Sequence, residues 1–215
     1  MGIPDRSEAH LVAMRSLMER AAVYRAISAP AALIAGGLTV VVALGMVWYY
    51  KRYPGLTPTM FVLTWVGVLA IILLAAGGLL WRESRVQGEP LPSARMWFAL
   101  AQVLPCVLAG ASITFWHWLM IYQIAPVVFY WMVFYGLALL SMDEYAPGSM
   151  VVLGWSFLLA GLMTAPVFYL GLERFGAGPV DGAYAMACTF GLFHIVYAVC
   201  VWPRGGRHPR PGDLG

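Results

Sequence analysis

The chain has 215 residues, of which 61% are hydrophobic and only 11% are charged, and its mean hydropathy is +0.77. Soluble domains carry about 25% charged residues, so this composition excludes an ordinary soluble protein and predicts an all-α, polytopic membrane protein. The net charge of +3 is spread over several loops without a basic stripe, which argues against nucleic-acid binding.

The first 25 residues are predicted to form a cytoplasmic amphipathic helix ahead of the membrane domain. Its apolar side chains recur at the i, i+3 and i+4 spacing of a helix. They are Leu11, Met14, Met18, Ala21 and Ala22. A helix with this pattern lies in the membrane interface or packs against a partner protein, and the sequence leaves both open.

Six apolar runs follow and make up a predicted transmembrane domain over residues 26–202. A bilayer core of about 30 Å needs about 20 residues of helix. The runs are Ala26–Tyr49, Thr59–Trp81, Met96–Trp118, Ile124–Ser141, Ser149–Leu172 and Gly182–Trp202. Their loops are short, so we expect six helices in three antiparallel hairpins, followed by a disordered cytoplasmic tail at 203–215.

The positive charges predict that both chain ends are cytoplasmic. Ten of the thirteen lysine and arginine residues flank the runs on the side that both termini share, and such residues mark the cytoplasmic face. The loop between the fourth and fifth runs departs from this pattern, since it carries Asp143 and Glu144 without a basic residue. We interpret it as a solvated turn that meets the N-terminal helix, or as a cation or partner site.

One polar side chain, His194, lies in the middle of the last apolar run. On a helix it continues a stripe of small residues three or four positions apart. The small residues are Ala183, Ala187, Gly191 and Ala198. Such stripes let helices approach closely, so we expect His194 to point into the bundle. There it serves either as a structural hydrogen bond to a neighbouring helix or in proton relay, ligand contact or metal ligation.

The polar site is predicted to include more than the histidine. Its other candidates are Gly191 and Tyr197 on the same helix, Tyr135 from the fourth run and Gln102 from the third. Gln102 lies one turn before Pro105, where it can bond a carbonyl that the proline leaves without its usual partner.

A haem shared by two histidines is excluded by depth. His117 lies at the outer end of the third run, so His194 is about 12 residues deeper, or about 18 Å. Two axial nitrogens of one iron must lie about 4 Å apart, so we interpret His117 as an interfacial residue. The sequence contains no HExxH, GxSxG, phosphate-binding glycine loop or CxxC pair, and no catalytic residue, metal or cofactor is predicted.

Three short elements occur in order along the chain. They are SLMERAAVYRAISAPAALIAGGL at 16–38, FYGLAL at 134–139 and GLFHIVYA at 191–198. Together they resemble a family of uncharacterised bacterial six-span integral membrane proteins. The resemblance implies a six-helix bundle in a bacterial inner (plasma) membrane and implies no particular activity.

The missing catalytic motifs and the small-residue stripes favour a non-enzymatic membrane module that binds a partner protein or a small apolar ligand, in a sensor or assembly role. A small-solute transporter or channel is the first alternative, favoured by prolines inside the third and fifth runs. A haem or redox membrane protein, with His194 as a lone axial ligand, is the second. The expected partners are the lipid bilayer, a membrane or cytoplasmic protein and, in a homo-oligomer, a second copy of the chain.

Overall fold

A computed structural model of the protein describes residues 6–53, 57–87, 94–121, 125–142, 147–169 and 179–202. Within these ranges every regular element is helical, which confirms the all-α prediction. The helices are α1 (Arg6–Arg52), α2 (Pro58–Gln87), α3 (Ala94–Trp116), α4 (Ala125–Leu140), α5 (Gly148–Tyr169), α6 (Pro179–Met186) and α7 (Leu192–Val201). A π-helical turn at His117–Ile121 extends α3, and another at Ala187–Gly191 joins α6 to α7 in one rod, called here the last span.

Four helical stretches of the described chain are long and apolar enough to cross a membrane. They are Ala29–Arg52, Pro58–Arg82, Leu100–Leu119 and Val180–Val201, and they overlap the predicted first, second, third and sixth runs. Two further stretches, Pro126–Leu140 and Gly148–Thr164, are apolar but shorter. The 16 residues of α4 rise only about 24 Å, which is less than a bilayer core of about 30 Å. The fold is therefore that of a helical membrane protein with four clear membrane-length helices.

The first helix runs through the predicted junction between the N-terminal helix and the first span. It has 47 residues, which is about 70 Å of continuous helix. Pro30 lies inside it and removes one backbone hydrogen bond, so a bend between an interfacial part and a spanning part would fall there. The interfacial placement stays a prediction. Asp143, Glu144 and the predicted tail at 203–215 lie outside the described residues.

The last span packs against α1 through two glycines. A Cβ added to Gly36 would lie 2.7 Å from the Gly191 carbonyl oxygen and 3.0 Å from the backbone nitrogen of Ile195. A Cβ added to Gly191 would lie 2.5 Å from Cγ2 of Val40. These backbones approach so closely that only glycine fits without a shift.

Glycines also set the contact between α4 and α5. A Cβ on Gly136 would lie 2.7 Å from the backbone nitrogen of Leu158 and 2.8 Å from the Gly154 carbonyl oxygen. Further along α5, a Cβ on Gly161 would lie 2.7 Å from Cγ2 of Val133. The bundle therefore has two closely packed helix pairs, α1 with the last span and α4 with α5. The last span also contacts α4 and α5.

The outer positions belong to α2, which packs against α1, and to α3, which packs against α4. These neighbours agree with the first two expected hairpins. The last span, however, contacts α1 extensively and α5 only lightly, because its small-residue side meets Gly36 of α1. The arrangement of the chain as three hairpins therefore stays a prediction.

Candidate functional site

His194 lies on α7 in the middle of the last span, and its side chain is only 8% exposed. The small residues on its side of the span are enclosed as well. Ala183, Gly191 and Ala198 are buried and Ala187 is half-buried. The prediction that this stripe and its histidine face the interior is confirmed.

Both ring nitrogens of His194 have hydrogen-bond partners. Nδ1 lies 2.7 Å from the Phe190 carbonyl oxygen, one turn earlier, and Nε2 lies 2.8 Å from the Tyr135 hydroxyl on α4. A carbonyl oxygen can only accept, so Nδ1 carries a hydrogen and donates it. In the neutral ring Nε2 is then an acceptor, and the Tyr135 hydroxyl donates to it. The imidazole joins α7 to α4 in one defined tautomer.

Phe190, whose carbonyl oxygen accepts the hydrogen bond from Nδ1 of His194, belongs to the π-helical turn before α7. This turn, Ala187–Gly191, is wider than an α-helical turn, and the N–H of Leu192 just after it bonds two of its carbonyls. Such turns are rare and occur often at functional sites. Gly191, the last residue of the turn, also contacts α1. One local irregularity thus supplies both the backbone acceptor of His194 and the glycine contact with α1.

Aromatic rings enclose the histidine and its tyrosine. The side chain of Phe157 on α5 is 0% exposed, and its ring centre lies 4.8 Å from that of Tyr135 and 5.5 Å from that of His194. The ring centres of Phe190 and Phe193 of the last span lie 4.8 Å and 5.2 Å from the ring centre of Phe157. Phe157 and Tyr135 meet edge to face, an arrangement that aromatic pairs prefer. Residues of α4, α5 and the last span therefore converge on one polar contact.

This geometry suits a structural hydrogen bond better than a catalytic or ligating group. An iron at Nε2 of His194 would have to displace the Tyr135 hydroxyl, and Nδ1 is occupied by the Phe190 carbonyl. Within the described ranges, no group of three His, Cys, Asp or Glu side chains is placed to hold a metal ion. What the arrangement can do is fix the rotation of α7 relative to α4.

The other predicted site residues fall in different places. Tyr197 is 6% exposed and lies one turn after His194, while Gly191 is buried one turn before it. Gln102 is exposed on α3, and none of the contacts described for His194 involves it. The polar group therefore contains His194 and Tyr135, with Gly191 and Tyr197 beside it and Gln102 apart from it.

The second histidine of the spans, His117, has different surroundings. It begins the π-helical turn at the end of α3, and its ring centre lies 5.5 Å from that of Tyr130. Its Nδ1 is buried and, among the residues that the structure describes, has no hydrogen-bond partner. Its neighbour Trp118 donates from Nε1 to the Thr59 hydroxyl at 2.9 Å, which attaches this turn to α2. His117 is half-buried, and its position at the membrane interface stays a prediction.

Phe157 is the site residue that sequence reasoning missed. It contacts both Tyr135 and His194, although nothing marks it among the other phenylalanines of the chain. A signal was present in its spacing, because it follows Gly154 by three residues and precedes Gly161 by four. These positions share one side of a helix, so the side that packs against α4 also carries the aromatic ring.

Comparison with known proteins identifies no relative, since no protein-family model, curated protein or solved structure matches the chain. The resemblance to bacterial six-span proteins stays a prediction, and the site is interpreted from its own geometry.

Proposed function

We propose that the protein is a non-enzymatic module of a bacterial inner membrane that binds a partner protein through the exposed face of α3. In this proposal all six predicted runs cross the bilayer, with α4 accommodated by local thinning of the membrane. Both termini are cytoplasmic, which the distribution of lysine and arginine supports. The role is assembly or sensing, and the site around His194 holds the helix bundle together.

The observation that carries this proposal is a mismatch between hydropathy and exposure in α3. In the most apolar stretch of each helix, the share of buried residues is 33% in α1, 22% in α2 and 11% in α3. The mean hydropathy of this stretch is 2.5 in α2, which suits contact with lipid, but 1.3 in α3, the lowest of the four. A helix that faces lipid around most of its circumference is expected to be strongly apolar. The surface of α3 therefore suits contact with another protein better than contact with lipid.

Several less apolar or small residues of α3 share one side of the helix. They recur at intervals of three or four positions and are Gln102, Pro105, Ala109, Ser112 and Trp116. All are exposed except Ala109, which is half-buried. The side chain of Gln102 carries two donors and one acceptor, and such amides favour hydrogen bonds between helices in a membrane. We therefore expect the partner to place a transmembrane helix with a hydrogen-bonding group opposite Gln102.

The opposite side of α3 is attached to α4. Trp131 of α4 donates from Nε1 to the Thr114 hydroxyl at 2.7 Å, and Thr114 donates to the Gly110 carbonyl at 2.7 Å. Thr114 and Gly110 are buried. The polar bond to α4 fixes which side of α3 remains exposed, so the proposed binding face has a defined orientation.

Transport and haem binding draw less support from the same observations. Broken helices line the sites of many transporters, but α3 continues through Pro105 to Trp116 and α5 continues through residue 166 to Tyr169. Both ring nitrogens of His194 are paired within the bundle, so an axial ligand would require rearrangement of that contact.

Photo-crosslinking in native membranes tests the proposed interface. A photoreactive residue replaces either Ser112 on the α3 face or Leu74 on α2, whose side chain is 76% exposed. We expect the probe at position 112 to give one discrete protein adduct and the probe at position 74 to give lipid adducts.

Gln102→Leu provides the specificity test for that adduct. This substitution removes the amide from an exposed position, so we expect the adduct yield from position 112 to fall several-fold without a change in melting temperature. Leu104→Ala, at an exposed apolar position of the same helix, is the matched control. Lipid adducts alone at both probe positions would contradict the interface, and an adduct between two copies would identify a second copy as the partner.

A further inference from the structure

We propose that the groove between α1 and α2 binds one anionic phospholipid, with an acyl chain along the groove and the headgroup phosphate at the end of α1. This site is separate from the α3 face and does not depend on the proposed partner protein.

The groove is an open cavity of about 380 Å³ where the second half of α1 meets the start of α2. Ligand sites commonly enclose about 300–1,000 Å³. Its lining residues are Val42, Gly45, Met46, Tyr49, Met60 and Thr64. Both helices belong to membrane-length apolar stretches, so the groove opens sideways into the hydrocarbon layer. A lipid chain is the molecule available to fill it there.

Gly45 leaves the middle of the groove open. A Cβ at this position would meet nothing within 4 Å, unlike a Cβ at Gly36 on the same helix. Glycine inside a helix costs about 1 kcal/mol relative to alanine. Close helix packing accounts for Gly36 but not for Gly45, and the missing side chain at Gly45 leaves room in the groove for an acyl chain.

The groove continues into a positively charged end. Its α1 residues follow the i, i+3, i+4, i+7 rhythm from Val42 to Tyr49, and Arg52 and Tyr53 are the next positions on that side. The rings of Tyr49 and Tyr53 are 5.2 Å apart, and Arg52 and its neighbour Lys51 are exposed. The sequence contains no acidic residue from 29 to 82, so nothing in these two spans neutralises the cations.

The start of α2 adds positive potential at the same end of the groove. Thr57 caps this helix, with its hydroxyl accepting from the N–H of Met60 at 3.3 Å, and Met60 lines the groove. The first turn of a helix carries a partial positive charge of about +0.5 and favours anions. From Val42 to Arg52 the groove side of α1 rises about 15 Å, the depth of one leaflet of a bilayer core of about 30 Å. A phosphate at the charged end therefore places its acyl chain alongside Gly45.

Native mass spectrometry of the full chain in mild detergent tests the site. The delipidated protein is titrated with phosphatidylglycerol or with phosphatidylcholine of the same acyl chains. We expect phosphatidylglycerol to bind at least about tenfold more tightly than phosphatidylcholine. Lys51 and Arg52 should each contribute a factor on the order of five to this preference. Equal affinity for the two lipids would overturn the proposal. Displacement of the lipid by millimolar inorganic phosphate would also overturn it, because it would show an anion site without a chain-binding groove.

Two variants separate the headgroup from the chain. Lys51→Gln combined with Arg52→Gln should reduce the preference for phosphatidylglycerol to about twofold or less. Gly45→Leu should fill the groove and weaken both lipids at least tenfold. Gly77→Leu, at an exposed α2 glycine with nothing within 4 Å that lies on another side of the helix from Met60 and Thr64, should leave binding unchanged. Equal binding by the two leucine variants would contradict the groove. If Gly45→Leu fails to fold, the proposal is decided by whether the variant with Lys51→Gln and Arg52→Gln loses its preference for phosphatidylglycerol.

Discussion

Gly36 on α1 and Gly78 on α2 are both glycines inside apolar helices, but their surroundings differ. A Cβ on Gly36 would lie 2.7 Å from a backbone oxygen of the last span, whereas a Cβ on Gly78 would meet nothing within 4 Å. The first glycine belongs to the closely packed centre formed by α1, α4, α5 and the last span. The second belongs to the outer helices α2 and α3, whose surfaces are largely exposed.

This difference separates the parts of the molecule that maintain the fold from those that remain available for binding. In the centre, glycines let neighbouring helix backbones approach closely, and the bond between His194 and Tyr135 pairs two polar side chains within the bundle. On the outside, α3 has low hydropathy despite its exposure, and the groove beside α2 ends in positive charge. We therefore expect substitutions in the centre to change stability, and substitutions on the outside to change binding.

The largest effect is expected for His194→Leu. It removes both hydrogen bonds of the imidazole, to the Phe190 carbonyl and to the Tyr135 hydroxyl, and the loss of one partner from a buried hydrogen bond costs about 1–3 kcal/mol. We expect the free energy of unfolding in detergent to fall by about 2–4 kcal/mol. His194→Gln retains one donor and one acceptor and should recover part of this loss. Unchanged stability in both variants would show that His194 has no structural role.

Gly136→Ala is expected to have the next largest effect. The new methyl group would lie 2.7 Å from the backbone nitrogen of Leu158, so α4 and α5 must separate. Overpacking of this kind costs about 1–3 kcal/mol, measured as a lower melting temperature in the same detergent. Gly78→Ala is the matched control on α2 and should be neutral or slightly stabilising, because alanine favours a helix. Equal melting temperatures for the two variants would remove the distinction between centre and outside.

A smaller effect is expected for Tyr135→Phe, which removes only the hydroxyl and leaves Nε2 of His194 without its donor. We expect a loss of about 1–2 kcal/mol. Combined with His194→Leu in a double-mutant cycle, it should give a coupling energy of about 0.6 kcal/mol and at most about 1.7 kcal/mol, the average and the maximum for hydrogen bonds between membrane helices. Additive effects of the two substitutions would mean that the hydroxyl and the imidazole do not interact.

The sequence was sufficient for the helical class, for the positions of the four long apolar stretches and for the inward orientation of His194. These properties depend on composition and on spacing along one helix, both of which a single sequence contains. The identification of Tyr135 as a site residue rested on a short motif, and the structure places its hydroxyl 2.8 Å from the histidine.

Other features depend on which helices meet, and spacing along one helix does not contain that information. Gly36 and Gly45 look alike in sequence, but only Gly36 faces a neighbouring backbone. The pairing of the last span with α1 joins segments that are far apart in the chain. The π-helical turn at Ala187–Gly191 has no clear signature, since an ordinary α-helix also places most of the same small residues on one side.

The centre is held to depend on backbone contacts that only glycine allows. Comparing the thermal stability of Gly36→Ala with that of Gly37→Ala tests this claim most directly. The two glycines are adjacent, but a Cβ on Gly36 would lie 2.7 Å from the Gly191 carbonyl oxygen and a Cβ on Gly37 would meet nothing within 4 Å. We expect Gly36→Ala to lower the free energy of unfolding by about 1–3 kcal/mol, and Gly37→Ala to leave it unchanged or raise it by up to about 1 kcal/mol. Equal stability of the two variants, or a greater loss for Gly37→Ala, would contradict the packing of α1 against the last span.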